Sequence, residues 1–161
     1  MNRRSKHNAV KLRAYIGTQD CKFDSKAEYR YALWLENERQ EGRIVSWRHH
    51  PCVFTLVGAQ FGKVATMEPD FSVVWPNGNV EYHEVKGMPT AAWRIKRALF
   101  EQQSDDAYVV IDAGHPGDVI TGTPPRLFDE RSRYKRLAKK AKKARADMNA
   151  EKFLRKIGRR K

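Results

Sequence analysis

The sequence predicts an α/β sandwich, a mixed sheet flanked by helices, with a basic helical extension at its C-terminal end. Three observations carry this. Helix-start signals stand at Ser25 and Thr90, apolar runs of strand length lie between and after them, and two acid-bearing runs flank the turn cluster Pro76-Asn77-Gly78-Asn79.

Residues 1–22 carry Arg3, Arg4, Lys6, Lys11 and Arg13 with little periodicity and read as a flexible basic arm. The core begins at Phe23. Ser25 followed three residues later by Glu28 is a capping box, with Phe23 near the place a hydrophobic staple uses. The helix it opens runs to about Gln40, turns Tyr31, Trp34 and Leu35 inward, and ends at Gly42. Ile44–Trp47 and Cys52–Leu56 are two short strands broken at Pro51, and 58–66 is a loop. His49, His50 and Cys52 do not amount to a zinc site, because no second ligand pair stands at a spacing that closes a tetrahedron. His83 falls on the strand face opposite Glu84 and reads as a packed or surface histidine.

After Gly87, Thr90 caps a second helix with Ala92, Ile95 and Leu99 as its buried stripe and Arg94, Lys96 and Arg97 on the other face, where they reach phosphates or are simply solvated. Ala107–Asp112 is a buried strand. Residues 113–125, rich in Gly and Pro, form a linker that closes the 23–112 core. Within the tail, 126–161, a basic helix from Arg131 to about Ile157 carries Leu137, Ala141, Ala144 and Met148 on a thin stripe. Its face suits docking on the core, docking on a partner, or ordering on DNA, where Lys135, Arg136, Lys139, Lys140, Lys142 and Lys143 would meet phosphates.

The hairpin is the informative element. A three-residue loop of Pro76-Asn77-Gly78, with Gly78 left-handed, pairs Trp75 with Asn79, and counting back sets Asp70 opposite Glu84. Glu84 and Lys86 share a strand face by parity, so this register gathers Asp70, Glu84 and Lys86 in one patch. A one-residue slip would scatter them. The patch is either a solvated face with chance charges or a site. Glu28 is likewise either a cap alone or a third acid projecting from the first turn of the helix.

Charge distribution points to a polyanionic partner. The net charge is +13, yet residues 126–161 hold 16 Lys+Arg against 4 Asp+Glu, and residues 1–13 hold 5 basic residues and no acid. The span 14–125 is mildly acidic, with 11 basic against 15 acidic residues. Basic ends on such a core bind nucleic acid by counterion release. Charge alone also admits a ribosomal-type protein or an anionic membrane surface. Cys21 and Cys52 form no C-x-x-C pair, no run approaches membrane-spanning length, and no signal peptide is evident. A soluble, cytoplasmic protein that is not membrane-bound is expected.

Opposed carboxylates with a lysine two residues on suit metal-assisted phosphodiester cleavage. Asp70, Glu84 and the Val85 carbonyl would hold Mg²⁺, Glu28 would complete the shell, and Lys86 would orient water or steady developing negative charge. Mutual repulsion predicts raised carboxylate pKa values without metal. Pro69-Asp70 followed by Glu84-Val85-Lys86, with Glu28 on a preceding helix, resembles the PD-(D/E)XK nuclease superfamily. The ordered blocks Phe23–Glu28, Pro69-Asp70-Phe71, Glu84–Gly87 and Ile95–Phe100 are similar to those of a small group of phage-encoded predicted endonucleases, over residues 21–112.

The resemblance implies a restriction-endonuclease-like core and a Mg²⁺-dependent endodeoxyribonuclease, with Mn²⁺ as a substitute. It implies catalytic Asp70, Glu84 and Lys86, raises Glu28 to a metal-site residue, turns Lys96 toward the site, and places the protein in the host cytoplasm if phage-encoded. Phage resolvases of branched DNA are among the relatives, so structure-selective cutting of junctions or flaps is the expectation, with a homodimer where symmetric cuts are made. Two alternatives stay open: a non-catalytic nucleic-acid-binding protein on a nuclease-like scaffold, and a nuclease subunit working with recombination, transposition or replication proteins.

Overall fold

A computed structural model describes residues 11–129 and Met148. The chain divides into two units, Met1–Phe128 and Asp129–Lys161, and the fold below is that of the first. The tail helix expected from Arg131 lies outside the described residues except for Met148, which is helical and exposed.

β1 (Leu12–Ile16) and β2 (Gln19–Phe23) form an antiparallel hairpin. This corrects the reading of the basic arm over residues 12–22; its first ten residues, with Arg3, Arg4 and Lys6, lie outside the described residues. Ile16, Cys21 and Phe23 are buried, while Arg13 and Asp20 pair across the outer face. The turn requires Gly17, which has φ +58°, and a Cβ there would meet Glu36 Oε1 at 3.0 Å.

α1 (Lys26–Gln40) starts on the expected capping box. The Glu28 N–H donates to Ser25 Oγ at 3.1 Å; Glu28 Oε1 accepts from the Ser25 hydroxyl at 2.7 Å and Oε2 from the Asp24 N–H at 2.9 Å. Tyr31, Ala32 and Leu35 face the core and Gly42, at φ +72°, reverses the chain after the last turn. Next come β3 (Ser46–His49), β4 (Phe54–Gly58) and β5 (Gly62–Met67). β4 and β5 pair as a bulged hairpin, so the loop expected over 58–66 is mostly strand, with only 59–61 left as the turn. β6 (Phe71–Val74) and β7 (Val80–Lys86) are the expected acid-bearing hairpin, and α2 (Ala91–Gln103) leads to β8 (Ala107–Asp112).

Among the described residues the main sheet has the order β3-β6-β7-β8, antiparallel up to β7 and parallel between β7 and β8. A parallel pair needs a crossover, and α2 supplies it. Alternation on the strands divides the interior in two. Phe71, Val73, Val85 and Ile111 pack with Tyr31, Leu35 and Trp47 on the α1 side. Tyr82, Tyr108 and Val110 pack with Trp93, Phe100, Leu56 and Met67 on the α2 side. Each fully buried large side chain in these layers contributes about 1.5–3 kcal/mol.

Two further expectations are corrected. The inward face of α2 is Phe100, buried, with Trp93 and Leu99 half-buried beside it, while Ile95 is 63% exposed. The helix is rotated so that its two aromatic rings, which remove the most area from water, meet Tyr108. The 113–125 segment is not a linker ending the core at 112. The Asp112 N–H donates to the Arg126 carbonyl at 2.8 Å and the Phe128 N–H to Val110 at 2.7 Å, which brings Phe128 back onto the α2-side layer. No helix among the described residues is long and apolar enough to cross a membrane.

Candidate active site

The register of the β6–β7 hairpin decides what the acids can do. The Gly78 N–H donates to the Trp75 carbonyl and the Trp75 N–H to that of Asn79, both at 2.9 Å, with Gly78 at φ +86°. The pairs Val74↔Val80 through Phe71↔His83 follow. One step further along the same register, Asp70 stands against Glu84, as the loop length requires.

Asp70 is fixed at both its backbone and its side chain. Its carbonyl accepts from the His50 N–H at 2.9 Å, and its Oδ2 accepts from the Val85 N–H at 2.8 Å. Pro69, just before it, is fully buried. Burial pushes the Asp70 carboxyl well above its ordinary range, the negative charges of Glu84 and Glu28 push it the same way, and the Val85 N–H and Lys86 oppose them. Glu28 therefore lies near enough to be felt at Asp70 while serving as the α1 cap.

Glu84 is buried, 5% exposed, and held from two sides. Lys86 donates its ammonium to Glu84 Oε1, and the Tyr108 hydroxyl donates to Oε2 at 3.1 Å. Burial, then the Glu84 charge, raises the Tyr108 pKa, so this hydroxyl stays a donor. Lys86 Nζ lies 5.3 Å from the centroid of the Trp93 ring, and the Arg97 guanidinium approaches the same ring at 5.8 Å.

The structure thus brings together Asp70, Glu84 and Lys86, with Glu28 close by. Val85 contributes its N–H, while its side chain belongs to the α1-side core. His83 is buried in that layer, where its Nδ1 meets the Tyr31 hydroxyl at 2.5 Å and its Nε2 meets Glu81 at 3.0 Å. Of the expected DNA-binding residues, Arg97 also donates to Glu101 at 2.7 Å, Arg94 has a partner of its own, and Lys96 is half-buried on α2. Lys135, Arg136, Lys139, Lys140, Lys142 and Lys143 lie outside the described residues.

Tyr108 and Trp93 are the neighbours that sequence reasoning missed. Parity along β8 would have placed Tyr108 on the Glu84 face, but only with the β7–β8 register in hand. Among the described residues no three metal-ligating side chains already stand close enough to hold an ion. The donors nearest one another are nevertheless all oxygens, and the charge at Asp70 is under-compensated. That is the chemistry a hard divalent cation fits.

The fold and site together describe a mixed α/β protein with opposed acids, Glu84 buried and Asp70 half-buried, and a lysine at one end of its sheet. More particularly, the chain belongs to the DUF1064 family, described as proteins of unknown function, whose model matches residues 4–113. The match takes in Glu28, Asp70, Glu84, Lys86 and Tyr108. No curated protein and no solved structure matches the chain.

Proposed function

We propose that this protein is a metal-dependent DNA endonuclease with a restriction-endonuclease-like core, and that Asp70, Glu84, Lys86 and Glu28 form its catalytic centre. The observation that carries the reading is the pair of opposed acids, Asp70 with its raised pKa and Glu84 capped by Lys86, at the end of a hairpin whose turn fixes their register. The element order helix, antiparallel strands, helix, parallel strand adds support, as it is the mixed α/β arrangement read from the sequence pattern.

Asp70, Glu84 and the Val85 carbonyl, with Glu28 beside them, would hold Mg²⁺, which when bound would supply a Lewis acid and lower the pKa of a water. The chain's residues do the positioning. The Val85 N–H fixes one Asp70 oxygen and leaves Oδ1 for coordination. Tyr108 sets the plane of the Glu84 carboxylate, and the Trp93 ring steadies the Lys86 ammonium. Lys86, once drawn from Glu84 by a phosphate, places its N–H donors against the charge that grows on the phosphoryl oxygens. Burial strengthens each of these interactions.

Branched DNA, a junction or flap, is the proposed substrate, with Arg94, Lys96, Arg97 and the basic tail on its phosphates and a homodimer where paired cuts are made. The test is cleavage of plasmid, duplex, flap and four-way-junction DNA with Mg²⁺, with EDTA, and by Glu84→Ala. Cutting is expected only from the wild type with metal; equal cutting by Glu84→Ala would overturn the site. A second reading, nucleic-acid binding without catalysis, draws on the engaged state of Glu28 and Glu84, whose oxygens already have protein partners. It requires salt-sensitive binding and no metal-dependent cleavage of any substrate.

A further inference from the structure

The β4–β5 ribbon turns one face to the protein and leaves the other uncovered. Leu56 and Met67 are buried in one cluster with Phe100 of α2, and Phe54 and Ala65 pack beside them. Side chains alternate along a strand, so Thr55 and Val57 point away from that layer, and Thr66, which pairs with Thr55, joins them. Val57 is 47% exposed, Val64, which the register skips, is 46% exposed, and Phe61 at the turn is 81% exposed. Among the described residues no other strand pairs with the ribbon.

Two observations restrict what can cover this face. The first is charge. Residues 51–67 carry Lys63 as their sole charged side chain, in a chain of which 32% of the residues are charged. A polyanion meets a single cation there, so the phosphate attraction that drives nucleic-acid binding is missing. The net charge of +13 on each copy opposes self-association, and an almost uncharged face is where burial of apolar surface meets least local opposition. The second is the state of the β4 edge. The Gln103 carboxamide donates to the Val57 carbonyl at 2.9 Å and accepts from the Val57 N–H at 3.0 Å, which ties the strand to α2 and closes its edge. Contact is thereby left to the side chains of the face. A flat apolar face with no charge pattern to select a different partner is complementary to its own copy about a two-fold axis.

The ribbon is also joined directly to the candidate site. β5 runs from Met67 through Glu68 and Pro69 into Asp70. Thr66 therefore stands at most about 14 Å along the chain from Asp70. Two such faces at the ~10 Å spacing of stacked sheets hold their Asp70 residues within about 40 Å of each other. That is about twelve base pairs of duplex.

We infer that two copies of this protein associate by packing their β4–β5 faces together, with Phe61 and Val57 at the contact; use of the pair for two nearby cuts rests on the nuclease reading, while the association does not. The experiment is sedimentation velocity on the full chain, freed of nucleic acid and kept reduced because Cys52 is exposed. Salt of about 0.5 M screens the repulsion between copies. The face of one ribbon is small, so a monomer–dimer equilibrium with Kd of about 1–100 μM is expected. Phe61→Glu and Val57→Lys should each raise that Kd at least about thirtyfold, the effect of one hot-spot residue, with melting curves close to that of the wild type. Ile120→Glu, at a site 97% exposed outside the ribbon, should leave it unchanged.

A wild type that sediments as a monomer throughout that concentration range, or a dimer that survives both ribbon substitutions, overturns the interface. So does a monomer whose DNA binding weakens in Phe61→Glu, because the ribbon then serves nucleic acid. Cleavage by the wild type with Mg²⁺ is scored separately. A dimer that cuts nothing keeps the interface and loses the nuclease, and a monomer that cuts does the reverse.

Discussion

Replacing Asp70 by Asn should stabilise the metal-free protein while abolishing cleavage. The amide oxygen of Asn can still accept the Val85 N–H that Oδ2 accepts at 2.8 Å, so the substitution removes charge and little else. Directly opposed residues on a sheet place their Cβ atoms about 5 Å apart. Two unit charges at that distance repel by about 3 kcal/mol at an effective dielectric of about 20. Lys86 offsets part of this and the Glu28 charge adds to it, so a gain of about 1–3 kcal/mol is expected, or a rise in Tm of about 3–10 °C. The wild type bears this cost either as repulsion, when the carboxylate stays ionised, or as the uptake of a proton that the unfolded chain does not bind at neutral pH. Thermal melts in EDTA and in Mg²⁺ at neutral pH provide the measurement. Mg²⁺ should raise the wild-type Tm and leave Asp70→Asn unmoved. An Asn variant that melts below the wild type in EDTA would refute the claim that these acids repel one another.

Glu36, with four donor contacts from Arg39, Gln40 and Trp47, has its pKa lowered from 4.5 to about 2, first by Arg39. A depressed carboxylate stabilises the fold at pH values above 4.5 and loses that contribution as pH falls toward 2. Glu36→Gln should therefore cost about 2–3 kcal/mol in urea melts at pH 7, with the gap to wild type closing near pH 2–3. Tyr108→Phe deletes the 3.1 Å bond to Glu84 while keeping the ring packed on Phe100 and Trp93. Losing a hydrogen bond to a charged group, about 1.5–3 kcal/mol, should slow single-turnover cleavage about 10–100-fold, with a near-native circular dichroism spectrum.

The parts of the fold set by short-range chemistry were legible in the sequence. Ser25 with Glu28, Thr90 with the Trp93 N–H at 3.1 Å, and the Pro76-Asn77-Gly78 loop each act within a few residues and stand where the pattern placed them. The loop mattered most, since it alone sets Asp70 against Glu84. What was not legible depends on distant pairing. β7 and β8 are joined through α2 rather than by a tight turn, so nothing local aligns Tyr108 with Tyr82, two positions from Glu84 on the same face. The choice of Trp93 and Phe100 over Ala92 and Ile95 as the inner face of α2 is made by the aromatic floor waiting on the sheet. In the first hairpin, Arg13, Asp20 and Lys22 alternate with Ala14, Cys21 and Phe23, and their charge hid a period-two strand pattern.

The bond from the Val85 N–H to Asp70 has a mechanical side. Beyond Phe71↔His83 the Val85 N–H, which would continue the β6–β7 ladder, is taken up by the Asp70 carboxylate instead of a peptide carbonyl. The same side chain is therefore both clasp and ligand. Fraying at that end must dismantle the centre first, and an ion that immobilises Asp70 also zips the ribbon, so the exchange rate of one amide, that of Val85, reports on both.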